Sequence, residues 1–496
     1  MLKFVKTWLL TVCFAGLAAE LHAGCAEYIV LNDQANQAVL EDDGDPFNNI
    51  IQIRSTNGTF DTIQFEQPTD ILFIAFGGGD DELTVDGESL PGFTADLLLY
   101  GEQGNDRTRI NHLDTQGGVY SEDPHGDNRL QLFACSVVGD VSAVDGPGFQ
   151  TFIMSGNYGG NVFVQSPDGG STIWIGTSLG IGYYAFVDGA VLVDNHGYGP
   201  DTVQVSGSLR QDLWLNLGHG DASLRSIFSG VSGDLSFLVE SGMSEVFLGD
   251  FSVLRTTRFK NIQGSTDVYL VHSGFAQGLE VRNGLGYDTY EFRSVWTPEL
   301  KIENGDGGSF TKLVEQGGPF GLEIGRLSIM NGDGSDEIVV ENGHGDLPDI
   351  GSLKIDNGNG NSRTSIGFYA EVGEVEISNG NGFDDLLVEG TVNGRLVSLN
   401  GNGGSGTYFD GAFIGGDTEI HSNAGMDYFE FHDTTIAGNT DLQTGDDNDL
   451  LLLSNSEFLG DFVAAGGSGF DIFATSLDNI FGGLYYVTGF DWTWEL

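Results

Sequence analysis

The pattern apolar-x-apolar-x-Asn-Gly-x-Gly-x-Asp/Ser recurs along this chain at intervals too short for a domain and too regular for chance. Its asparagines are Asn283, Asn304, Asn331, Asn357, Asn379 and Asn400, separated by 21, 27, 26, 22 and 21 residues. "RLSIMNGDGSDEIVV" from Arg326 and "EVEISNGNGFDDLLV" from Glu374 show it in full, and looser copies run from Gly77 to Gly466. Each copy joins two runs of period-2 alternation, a strand signal, through a glycine corner. Leu327 with Ile329, Leu353 with Ile355 and Phe429 with Phe431 each share one face. A single copy cannot bury that face, but stacked copies can.

This predicts an all-β, right-handed parallel β-helix (β-solenoid) of roughly 20–28 residues per coil, because a period near 22 without a helical signature suits a solenoid and parallel crossovers are right-handed. About 18 coils are expected from the chain length at that period. Glycine supplies positive φ at the corners, and stacked corner asparagines can form an amide ladder. Residues 27–70 do not fit the repeat and read as an N-terminal β cap, 71–475 as the solenoid, and the aromatic, Lys/Arg-free 476–496 as a C-terminal cap or docking tail.

Glycine, at 77 residues, is about twice its usual share, yet 40% of the 496 residues are hydrophobic, enough to build a core. With 72 acidic and 19 basic residues the net charge is −53. Such a surface repels nucleic acid and anionic lipid and suits cations. Residues 1–26 read as a signal peptide: Lys3 and Lys6, then "TWLLTVCFAGLAA", then small residues. Export to the cell surface or medium is therefore expected, with no membrane span after signal removal. "HAGC" resembles a lipoprotein box at Cys25, but His22 stands where that box takes an aliphatic residue. Cys135 then remains as a lone cysteine, expected to be a buried small apolar residue.

The corners also carry a resemblance. "GGSGFDIFA" from Gly466 matches the GGxGxDxUx nonapeptide of haemolysin-type (RTX) calcium-binding repeats, and "NGDGSDEIV", "NGNGFDDLL", "NGLGYDTYE", "HGYGPDTVQ" and "FGGGDDELT" match after the first residue. The resemblance implies Ca²⁺ as cofactor, with Asp81, Asp201, Asp288, Asp336, Asp384, Asp471 and, more loosely, Asp449 as ligands. Corner carbonyls plus carboxylates are the donor type calcium takes. Ser309, Ser362 and Ser405 stand where the aspartate would, and are expected to break a cage built from adjacent coils.

Other chemical signals are weak. "GTSLG" (Gly176–Gly180) lacks the helix a nucleophile elbow needs. "GNGGSG" from Gly401 is one corner of the repeat. His196, His219 and His344 are scattered near corners. "RTTRFK" places Arg258 and Lys260 on one, outward, side of a strand. The expected role is structural or adhesive rather than enzymatic, with calcium ions and extracellular polysaccharide or envelope components as partners. The alternative is a polysaccharide-binding or lyase-like enzyme, since exported pectate-lyase-like β-helices share the asparagine ladder; that likeness is one of fold.

Overall fold

The computed structural model describes residues 26–45, 47–176, 184–315, 321–342 and 349–495. They form a parallel β-solenoid of about 18 turns in all, and no described helix is long and apolar enough to cross a membrane. The chain divides into two compact units at Phe163/Val164.

In the first unit, Ala26–Val30, Ile71–Ala75, Asp96–Tyr100, Val119–Asp123 and Val141–Asp145 stack in one parallel ladder. Gln37–Asp42 lies parallel to Glu82–Asp86 on one side and antiparallel to Ile50–Ser55 on the other. Ile63–Glu66 continues the antiparallel set. Parallel coiling therefore gives way to hairpins between residues 37 and 66, where Leu40, Ile51 and Ile53 are buried.

In the second unit each regular coil has three strands, for example Asp384–Val388, Thr391–Val392 and Leu396–Leu399. We call the faces they build the first, second and third. The glycine corner leads from the third face of one coil to the first face of the next. Alternation sorts the residues as the sequence predicts: Leu327, Ile329, Leu353, Ile355, Phe429 and Phe431 are all buried in the lumen. Stacking puts like on like, so Phe409 and Phe431 lie 4.6 Å apart and 6° from coplanar, a favourable offset for aromatic pairs. Ile480–Phe481, Tyr485–Thr488 and Trp492–Glu495 repeat the three-strand coil, with Trp492 and Trp494 exposed.

The bend from first to second face uses different chemistry. A single residue there adopts the left-handed conformation, and it is often not glycine: Ala134, Phe228, Asp250, His272, Ser294, Asp433 and Asn455 have φ between 48° and 55°, which costs a non-glycine residue about 1–2 kcal/mol. Where the next residue carries a hydroxyl or thiol, that side chain holds the bend. The hydroxyls of Ser229, Ser273, Thr434 and Ser456 each donate to the carbonyl two residues back. Ser229 and Ser456 also accept a backbone N–H from the preceding coil. Cys135 occupies the same place, with its thiol donating to Phe133 O at 3.4 Å. The lone cysteine is buried as expected, but as a stand-in for serine.

Ser456→Ala removes both interactions and should cost about 1–3 kcal/mol in urea unfolding, whereas Cys135→Ser should change stability by less than about 1 kcal/mol, the worth of one net hydrogen bond. Equal losses in the two variants would refute this account of the bend.

Candidate functional site: the glycine corner

Two side-chain rows flank the corner on its lumenal side. The first is the asparagine row. Asn304 Nδ2 donates to Asn331 Oδ1, Asn331 to Asn357 and Asn357 to Asn379, each at 2.7 Å, and Asn379 to Asn400 at 2.8 Å. Asn400 passes the chain to Ser422 Oγ, and Tyr290 Oη joins Asn283 to Asn304. The expected amide ladder is therefore continuous from Asn283 to Ser422, inside a lumen where unpaired amides would be costly.

The second row holds the predicted aspartates. Asp201, Asp288, Asp336, Asp384, Asp449 and Asp471, and Asp81 in the first unit, are all buried. They are not gathered into one cluster; each sits at the equivalent position of a different coil. Oδ1 of each reaches back to the preceding coil. Asp81 accepts from Asn36 N, Asp288 from Thr266 N, Asp449 from Asp427 N and Asp471 from Asp449 N, at 2.6 to 3.0 Å. The serines that replace aspartate are the other half of this device. Ser171 Oγ donates to Asp201, Ser309 to Asp336, Ser362 to Asp384 and Ser405 to Asp427, at 2.6 to 2.8 Å. Serine in the row is thus a donor to the aspartate one coil on, and the alternation that looks like a broken cage is a series of Ser–Asp pairs tying neighbouring coils.

Burial raises the carboxyl pKa values, because the charged form loses its water. Asp81 and Asp449 are pushed up to about 6, and Asp288 and Asp427 to about 7. Asp201, Asp336, Asp384 and Asp471 move up for the same reason. In Asp81, Asp288, Asp427, Asp449 and Asp471 the second oxygen, Oδ2, is buried and makes no hydrogen bond. The side chains of Tyr290, Ser422 and Thr444 stand close enough to Asp288, Asp427 and Asp449 to ease that burial.

For Ca²⁺ the donor chemistry fits: a hard oxygen with a free lone pair, beside a backbone corner. The carboxylate count is low. Among the described residues no three His, Cys, Asp or Glu side chains converge as a metal-holding group. A cation at one corner would draw on one or two of these carboxylates and complete its shell with backbone carbonyls and water.

Four buried aspartates lie outside the expected set. Asp427 continues the aspartate row between Ser405 and Asp449. Asp106 does so in the first unit, donating its own N–H to Asn128 and accepting from Asp81 N at 2.9 Å. Asp123 and Asp145 pair across coils where later coils carry the ladder asparagine. Burial, then Asp106, lifts Asp123 to about 7; burial, then Asp123, lifts Asp145 well above the carboxylate range. A Cβ at Gly101 would collide with the carboxylates of Asp123 and Asp106, so glycine there leaves them room. The signal was present in "DPHGDN" and "DGPGFQ", which are corners with aspartate at the asparagine position.

The weaker signals resolve simply. Arg258 and Lys260 point outward, and the third face gathers Arg258, Arg282 and Lys301 around Glu280 and Glu303 in exposed ion pairs, which contribute little each. His196 and His219 lie beside Asp194 and Glu240. His344, Cys25, the signal segment up to residue 25 and most of "GTSLG" lie outside the described residues.

Fold and corner define a parallel β-solenoid whose coils are tied by lumenal asparagine and aspartate rows. No protein-family model, curated protein or solved structure matches the chain.

The raised carboxyls set a pH dependence. Their folded pKa values exceed the unfolded value near 3.9, so their contribution is fully present below about pH 4 and is lost as pH rises through 6 to 7, where they ionise in the folded state. Without divalent cations, the urea midpoint should fall between pH 5 and pH 8, and Asp288→Asn with Asp427→Asn should flatten that fall. A midpoint that is level or rising over this range would contradict it.

Proposed function

We propose that this chain is an exported structural or adhesive β-solenoid, working outside the cell and stiffened by Ca²⁺ at its corners. The carrying observation is the aspartate row. A buried carboxyl recurs along the row, in places alternating with serine, tied through Oδ1 and in six cases (Asp81, Asp106, Asp288, Asp427, Asp449 and Asp471) left with an unbonded Oδ2. Such a row couples each coil to its neighbour, which suits a protein whose task is to keep its form.

Calcium acts here by mass action. A cation that binds the ionised corner stabilises the folded state by RT ln(1 + [L]/Kd). It competes with the proton for the same oxygens, so the gain grows with pH. The acidic surface favours cations over anionic partners. An extracellular setting supplies calcium and agrees with the signal-like first 26 residues.

The chain from residue 27 onward should melt at a higher temperature in a calcium series than in EDTA at pH 8, with magnesium giving less. The difference should shrink at pH 5, where the corner carboxyls are protonated. Identical melting in EDTA, magnesium and calcium at pH 8 would overturn the calcium part of this reading.

A further inference from the structure

Outside the corners, the second unit carries an outward trough on its second face. Strand register builds its floor as one column: Phe186 opposes Ser208, Ser208 opposes Gly230, Gly230 opposes Ser252, Ser252 opposes Gly274 and Gly274 opposes Trp296. Four small residues thus lie between two outward aromatic rings. The column crosses five coil steps, about 24 Å at the usual strand spacing. The described cavity at its Phe186 end has a volume of about 350 Å³ and is also lined by Tyr184, Phe228 and Asp250.

Three features make the trough more than a gap. Phe228 is 67% exposed at the left-handed bend position, φ 55, where the next two coils carry the polar Asp250 and His272. Tyr184 and Phe186 are half-exposed beside it, so several ring faces meet water around one depression. The polar groups offered are the hydroxyls of Ser208 and Ser252 on the floor and the Asp250 carboxylate, 3.7 Å from His272 Nδ1.

We propose that this trough binds a neutral linear polysaccharide. Ring faces stack on the apolar C–H faces of sugar rings, serine hydroxyls and the Asp250 carboxylate meet sugar hydroxyls, and the small floor lets the chain lie low between Phe186 and Trp296. A polyanionic glycan is disfavoured by the net charge of −53. A peptide strand finds no free edge, because the floor strand Gly207–Leu209 is already paired on both sides. Binding needs neither calcium nor the corner aspartates. The inference deepens the adhesive reading by giving it a ligand class, and rests on that reading for its biological setting alone.

The test is affinity electrophoresis of the chain from residue 27 onward in gels cast with hydroxyethyl cellulose, galactomannan or laminarin, with polygalacturonate and a proline-rich peptide as controls. Retardation by at least one neutral polysaccharide is expected, and Phe228→Gly and Trp296→Ala should each weaken it about tenfold, the worth of one good aromatic contact. Phe228→Gly supplies the residue its backbone conformation favours, so lost binding there cannot be lost folding, and an unchanged melting temperature verifies this. Ser252→Phe, which fills the floor, should also abolish retardation. No retardation by any of the three neutral polysaccharides, retardation unaffected by these variants, or binding of the polyanion or peptide instead would overturn the proposal. Failure here with calcium-dependent melting would leave the structural reading standing; retardation with calcium-independent melting would keep the trough and remove calcium.

Discussion

Everything in this protein depends on satisfying backbone N–H groups where a parallel ladder turns a corner. Along a strand the neighbouring coil supplies the carbonyl. At a corner the geometry fails, and a buried or half-buried N–H without an acceptor is costly. The chain answers with side-chain acceptors, in two rows of opposite direction. Lumenal aspartates accept from the coil before, as Asp106 does from Asp81 N. Outer Asp and Asn residues accept from the coil after, as Asp80 does from Asn105, Asn105 from Asp127 and Asp333 from Asn359. The third corner repeats this at Asp212, Asp234 and Asp417. Much of the acidic excess is therefore part of the architecture: the acceptor must be short and reach one coil spacing, which Asp and Asn do and Lys cannot.

The same solution creates a chemical tension. A carboxylate that caps through Oδ1 brings Oδ2 into the lumen with it, and ionised oxygens stacked one coil apart repel. Protonation relieves this, and so would a hard cation. Serine or asparagine at alternate coils relieves it a third way, by diluting the charge. Ser309, Ser362 and Ser405 fall between aspartates on both sides, while Asp427, Asp449 and Asp471 run consecutively. The consecutive run is where coupling to protons and cations should be strongest.

The two proposed sites divide the coil between them. Corners face inward and hold coils together, so their residues are committed to neighbours. The second face is short, its outward column is free to vary, and there alone the register sets small residues between Phe186 and Trp296. A solenoid suits this division, since a ligand lying along the stacking direction meets one residue per coil.

How much of this was legible follows from the physics of each part. The repeat period, the lumenal alternation and the asparagine ladder are local patterns, and Leu327, Ile329, Asn331 and Asn357 behave as the sequence says because stacking only repeats what each coil already encodes. Asp336 and Asp384 stand out through the resemblance to haemolysin-type repeats, but their partners do not, since Ser309 and Ser362 lie 27 and 22 residues away. The second bend leaves little mark in the sequence because its residues, such as Ala134 or Phe228, share no side-chain type; what signal there is lies in the Ser, Thr or Cys that follows most of them. The sequence by itself determined a stacked all-β chain with polar corners. Only the tertiary structure decided that the serines complete the aspartate row, that Asp106 and Asp123 share one lumen, and that Phe186 and Trp296, 110 positions apart, end one trough. Those are matters of register between coils, which depends on the uneven lengths of the intervening loops.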